Sequence, residues 1–255
     1  MKMKRGFISF FIFLFINLSL LAQNSDMPKE AATAYNEGNK LLKAGNYDGA
    51  VQQYNEALKH SKDHRIYYQL GVTLKKQNKL NDAEEAFNNA IKINPGFDIA
   101  YNGLGGTYFQ DGKFSEAVAS FKKFEELTKQ KSLKEQAKEY ISRSLVKLGD
   151  QTKKEGNYEK AIGYLNEAIN YKPFDAAYVL LATTHYENGS YDKALSAADQ
   201  VINMKSTNLK GAGYYYKAMS YKQLQDISKA KENFELAKKD PQYRKLAEYE
   251  LNLLK

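Results

Sequence analysis

Few residues in this chain are of a type and spacing that would support chemistry. Its three histidines are His60, His64 and His185. His60 and His64 stand four apart, the spacing at which one helix face offers two metal ligands. However, Ser61, Lys62 and Asp63 read as a turn between helices, and neither a third ligand nor a recognisable motif accompanies the pair. With no cysteine anywhere, a thiolate nucleophile or ligand is excluded. Gly103, Gly105 and Gly106 lie in a helical pattern and not after a strand, so they read as close packing and not as a phosphate-binding loop. The neighbouring acids Glu84-Glu85 and Glu125-Glu126 read as solvated helix surface in the absence of any catalytic motif. The expectation is a non-catalytic protein with no metal and no cofactor.

The beginning of the chain bears on where such a protein works. Lys2, Lys4 and Arg5 precede an almost wholly apolar run from Phe7 to Leu21, and the small Ala22 is followed by polar Gln23 to Asp26. That order is a secretory signal peptide cleaved after Ala22, with an uncleaved N-terminal membrane anchor as the alternative, since the run is short for a span of roughly 20 residues. Loss of residues 1–22 lowers the formal charge from +8 to +5, distributed along the whole chain. Lysines interleaved with acids on helix faces imply solvation and not a nucleic-acid stripe. The expected location is periplasmic or otherwise exported, with membrane contact only if the apolar segment stays uncleaved.

The rest of the chain is periodic. A small residue, then an alanine twelve residues on, then packing positions four and three further on, gives Gly38, Ala50, Tyr54 and Ala57. The same rule gives sets beginning at Gly71, Gly105, Gly149, Ala182 and Ala218. Each set is two amphipathic helices around a turn: Gly45-Asn46-Tyr47, Asn78-Lys79-Leu80, Gly112-Lys113-Phe114, Gly156-Asn157-Tyr158, Gly189-Ser190-Tyr191 and Gln225-Asp226-Ile227. Pro95 and Pro173 fall where one unit stops. Between the third and fourth sets the spacing lengthens to 44, and Ser132-Leu-Lys-Glu135 reads as a capping box opening one long helix. Beyond Pro241, Leu246, Tyr249, Leu251 and Leu254 read as a last helix covering the end of the stack.

These residues resemble the tetratricopeptide repeat, a helix-turn-helix unit of about 34 residues. The resemblance extends from Ala31 to Asp240 and departs from the pattern in lacking Trp and in carrying Ala182 and Ala218 where Gly is usual. It implies an all-α, right-handed superhelical solenoid of about six units. The expected organisation is a signal peptide over 1–22, a polar lead-in over 23–30, units one to three over 31–131, units four to six over 132–241 and a capping helix over 242–255.

If Ala34, Gly38 and Leu41 face the partner helix, Tyr35, Asn39 and Leu42 form a second stripe about 100° away. In the family this stripe lines the concave groove. The candidate ligand-binding residues are Tyr35, Asn39, Tyr68, Gln69, Asn102, Phe109, Tyr186, Tyr215 and Tyr216, with Val146 and Asp150 on the same stripe of the fourth unit. Aromatic rings and amides suit an extended peptide. The alternative is that the tyrosines pack between units. The carboxylate clamp of chaperone-binding repeats is not assembled, because Tyr35, Gln69, Ile99 and Gly103 replace its Lys, Asn, Lys and Arg. The expected function is a scaffold that binds a protein or peptide in a cell-envelope complex. A cell-wall glycan binder using groove tyrosines is the alternative.

Overall fold

The computed structural model describes residues 27–254, which form thirteen α-helices and, among the described residues, no strand. The expected signal peptide lies outside the described residues. The chain divides into two compact units, one ending at Thr107 and the other beginning at Tyr108.

In the first unit α1 (Lys29–Lys43) packs on α2 (Tyr47–His60), α2 on α3 (His64–Lys76), and α3 on α4 (Leu80–Ile93). Helix α5 (Asp98–Gln110) contains the division between the units. The second unit continues with α6 (Phe114–Leu127), α7 (Lys131–Lys154), α8 (Tyr158–Tyr171), α9 (Asp175–Glu187), α10 (Tyr191–Asn203), α11 (Lys210–Gln223), α12 (Ile227–Ala237) and α13 (Arg244–Leu253).

Six turns shape these pairs in one way. Their first residues, Gly45, Asn78, Gly112, Gly156, Gly189 and Gln225, all have φ between 61° and 81°. The next amide donates to a carbonyl five residues back, as in Asn46 to Leu41 at 2.9 Å, Lys79 to Leu74 at 3.0 Å and Ser190 to His185 at 2.8 Å. This left-handed cap satisfies carbonyls that a helix end otherwise strands. Gln225 adopts it despite its Cβ, at φ 63°. Gln225→Gly therefore raises stability by about 1 kcal/mol in denaturant titration, the steric relief exceeding the entropy that glycine adds to the unfolded chain.

The recurrent small residues sit where helices cross. A Cβ on Gly38 would come within 2.6 Å of Tyr54, on Gly71 within 3.0 Å of Phe87, and on Gly149 within 3.0 Å of Leu165. Gly103 approaches the Phe87 ring more closely still. The large side chains thus fill space that the glycines leave open, and Tyr54, Phe87 and Leu165 are fully buried.

Two expectations need correction. The long helix exists as the 24-residue α7, but it starts at Lys131 after Gln130 with no side-chain cap bond, so Ser132 is already helical and is no cap. Only Thr128 to Gln130 separate α6 from α7, and the chain turns directly into the helix. At the other end, α13 places Ala247, Leu251 and Leu254 against Ala218, Ala230, Phe234 and Ala237. Leu246 and Tyr249 face away from that cluster, with relative exposures of 49% and 63%. The small Ala247 permits the close helix approach that a leucine or tyrosine there would prevent.

Candidate functional site

In the first unit, α1 carries Tyr35 and Asn39, and α3 carries Tyr68 and Gln69. The buried Tyr54 hydroxyl donates to Asn39 Oδ1 at 2.8 Å, and its ring lies 6.1 Å from that of Tyr35. With its oxygen engaged, the Asn39 amide offers its NH2 group as a donor. Tyr68 rests between the rings of Phe87 and Phe97, at 5.9 and 5.5 Å. Burial pushes its phenol pKa up, and Tyr35 and Asp98 push it further, which brings Tyr35 and Tyr68 into one electrostatic neighbourhood. Lys75 lies over Gly106, its Nζ 2.8 Å from where a Cβ would stand. Burial lowers the pKa of this ammonium, and Lys76 adds to the effect. Gln69 and Asn102 are half-buried, and among the described residues no side-chain hydrogen bond joins either to the patch.

The second unit holds an open cleft of about 670 Å³. Phe109, Val146, Phe174 and Leu180 supply its apolar lining, and Arg143, Lys147 and Lys172 its cations. The carboxylates there are already engaged. Glu139 lies 2.5 Å from Arg143 and 2.6 Å from Lys172, and the Lys172 ammonium, followed by burial in opposition and then Arg143, holds its pKa down. Asp150 pairs with Lys154 at 2.7 Å, and Asp175 accepts from the Thr207 hydroxyl at 2.6 Å. Among the described residues Lys147 has no carboxylate partner. The lining thus sets three cations against three carboxylates, and Lys147 is the cation left without a carboxylate.

Tyr186, Tyr215 and Tyr216 form a separate cluster in the second unit. The Tyr216 ring lies 6.4 Å from Tyr186 and 5.4 Å from Tyr215, and Tyr215 also meets Phe234 and Tyr243 at 5.8 and 5.4 Å. Burial, then the neighbouring Tyr243 and Tyr215 phenols, push the Tyr216 pKa up to about 12. Tyr68 and Tyr215 thus serve packing between helices as well as the surface.

The nine sequence candidates fall into separate groups. Tyr35, Asn39 and Tyr68 come together in the first unit, Phe109 lines the cleft, and the last three tyrosines cluster. Arg143, Lys147, Lys172, Phe174 and Leu180 were not among the candidates. Arg143 precedes Val146 by three residues on the same helical stripe, a signal that the sequence carries.

The histidines have other surroundings. His60 lies 3.4 Å from Glu56, while His64 meets the Phe97 ring edge-on at 4.6 Å and Asn94 at 3.3 Å. Among the described residues no three His, Asp or Glu side chains are grouped to hold a metal. His185 is 6% exposed, and its Nδ1 has no partner. Burial, reinforced by Lys193 and opposed by Glu159, lowers its pKa below the ordinary 6.5. The unfolded chain therefore binds more protons below pH 6.5, and stability falls as pH drops from 6.5 through the folded-state value. His185→Leu, matching Leu74 in the equivalent turn, flattens part of that slope, by at most about 1.4 kcal/mol per pH unit, in urea melts at pH 5 to 7.

Models of the tetratricopeptide repeat match residues 35–74, 64–97, 99–131 and 146–207. The chain is 27% identical over 158 residues to the BBSome complex member BBS4 of Bos taurus, covering 61% of this chain and 28% of that protein. It is 24% identical over 203 residues to the TPR repeat-containing protein YpiA of Bacillus subtilis, covering 77% and 44%. The chain thus spans less than half the length of these curated relatives. In fold it is similar to YrrB, described as a TPR protein with an unusual peptide-binding site, with a TM-score of 0.52 at 20% identity over 77% of this chain and 96% of that one.

Proposed function

The chain belongs to the tetratricopeptide repeat family, and from that premise we propose that it is a non-catalytic scaffold holding an extended peptide of a partner protein in the cleft of its second unit. The observation that carries this reading is the cleft itself, with an apolar lining beside an exposed lysine, Lys147, that has no carboxylate partner among the described residues. A peptide with an apolar side chain next to an acidic one meets both requirements. The described part of YrrB's function, peptide binding, agrees with the reading. The apolar N-terminal run adds an exported location and membership of a cell-envelope complex to the proposal. Among the described residues no helix is long and apolar enough to cross a membrane.

Sugar stacking is the second reading, and it needs free ring faces. Tyr215 already meets Tyr216, Phe234 and Tyr243, which disfavours it. Affinity capture from cell extract separates the two. A protein retained by the wild type and lost by Arg143→Glu with Lys147→Glu supports the scaffold. Retention of both forms on cell-wall material, with no protein partner, supports the glycan reading.

A further inference from the structure

A second groove, of about 390 Å³, opens on the second unit and shares no residue with the cleft. Helix α8 gives it Ile162 and Asn166, α9 gives Leu181 and His185, and α10 gives Lys193 and Ala197. The first unit carries a groove at the matching places of its own repeats, so the two compare position by position. Asn55, Tyr67 and Leu70 of the first correspond to Asn166, Tyr178 and Leu181 of the second, and the frame is therefore the same. The chemistry differs. Where the first groove has Leu74, Asp82 and Glu85, the second has His185, Lys193 and Ser196. In place of two acids stand a cation and a hydroxyl, and in place of a core leucine stands a histidine.

Leu74 shows that a leucine fills this core position, so packing gives no reason for His185. The His185 ring is more than nine-tenths buried. Its Nδ1 is enclosed without a partner, whereas Nε2, also unpartnered, is not enclosed. A neutral ring carries one proton, and an orphaned buried N–H is rarer in proteins than an idle acceptor, so the proton belongs on Nε2. His185 thus presents an N–H donor to the groove. Lys193, exposed on α10, has no carboxylate partner among the described residues, and its charge acts on the ring. Glu159, the acid that also acts on the ring, accepts from the Asn188 amide at 2.7 Å and is not part of the lining. We propose that this groove is a binding site for a small aliphatic carboxylate. Lys193 meets its charge, His185 Nε2 donates to one of its oxygens, and its carbon chain lies against Ile162, Leu181 and Ala197. One cation and one neutral donor match a monoanion, whereas a phosphate dianion draws on several cations or a run of backbone amides. The volume is near the lower end of the roughly 300 to 1,000 Å³ of small-molecule sites.

With only three histidines in the chain, His185 can be followed by NMR with His60 and His64 as internal controls. Hexanoate is titrated at neutral pH into protein carrying isotope-labelled histidine. The expected result is a saturable shift of the His185 ring resonances and none at His60 or His64, with a dissociation constant on the order of 1 to 10 mM. Hexanamide, which lacks the charge, should bind about tenfold more weakly or worse. Lys193→Asp sets the first groove's acid at an exposed position, and it should weaken hexanoate by about tenfold or more while the melting temperature holds. N-acetylglutamate methylamide tests the other source of a carboxylate, an acidic side chain of a protein. The proposal is overturned if His185 does not shift at hexanoate concentrations up to about 100 mM, or if hexanamide shifts it equally. It is also overturned if Lys193→Asp binds as the wild type does, or if the capped glutamate is preferred to hexanoate, which would assign the groove to a protein partner.

Discussion

Phe87→Ala is expected to lower stability by about 3 to 5 kcal/mol, the largest single-residue loss in the first unit. Phe87 is fully buried on α4 and lies against Gly71 of α3 and Gly103 of α5. Its ring occupies the space that both glycines leave open, so truncation leaves a void bordered by Gly71, Gly103 and the Tyr68 ring, and glycines have no side chain with which to fill it. The same geometry sets the sign of a second substitution. Gly103→Ala forces a methyl into the Phe87 ring in the wild-type background and destabilises the fold. In the Phe87→Ala background that methyl enters empty space and becomes close to neutral. A double-mutant cycle in urea measures the difference directly, and additive effects would contradict the packing described.

Arg143→Glu combined with Lys147→Glu is expected to weaken partner binding by about 100-fold, near tenfold for each reversed charge. Arg143 retains 62% of its side-chain exposure, and Lys147 is exposed without a carboxylate partner among the described residues. Neither reversal opens a core cavity, so the melting temperature should hold while affinity falls. Raising the salt concentration should weaken the wild-type complex and change the variant much less, because the attraction being screened has been removed. Lys138→Glu provides the control. Lys138 pairs with Glu135 at 2.8 Å and does not line the cleft.

Much of this architecture can be read in the sequence, for local physical reasons. A left-handed residue is needed after every first helix, and Gly or Asn marks five of the six turns. The small residues at Gly38, Gly71 and Gly149 announce helix crossings because no side chain fits there. The length of α7 follows from one uninterrupted apolar stripe. The capping motif at Ser132 misleads because a match over four residues carries no information about how little chain precedes it. The facing of α13 misleads for another reason. Two apolar stripes compete there, Leu246–Tyr249–Leu253 and Ala247–Leu251–Leu254, and the bulkier one looks like the core. The winner is the one with alanine at the crossing, as Ala50, Ala83 and Ala161 are in earlier units.

The candidate site is less legible than the fold. Phe109, Val146 and Asp150 are found by helical periodicity and do line the cleft. Lys172 and Phe174 reach it from the three residues between α8 and α9, where periodicity has no purchase. Arg143 and Lys147 look like solvated surface charge until the cleft beside them is visible. The tyrosines show the converse difficulty: a buried phenol with a polar hydroxyl packs a helix interface and lines a surface equally well, so Tyr68 and Tyr215 do both.

The central claim, that a partner peptide lies in the cleft of the second unit, is tested most directly by photo-crosslinking. A photoreactive phenylalanine analogue replaces Val146 in the cleft or, as control, the exposed Ala119 of α6, and the cross-linked partner residues are read by mass spectrometry. The account predicts that Val146 captures one short segment of a single partner, containing an acidic residue, and that Ala119 captures none of it. Capture from Ala119 with none from Val146, in a protein that melts normally, would contradict it.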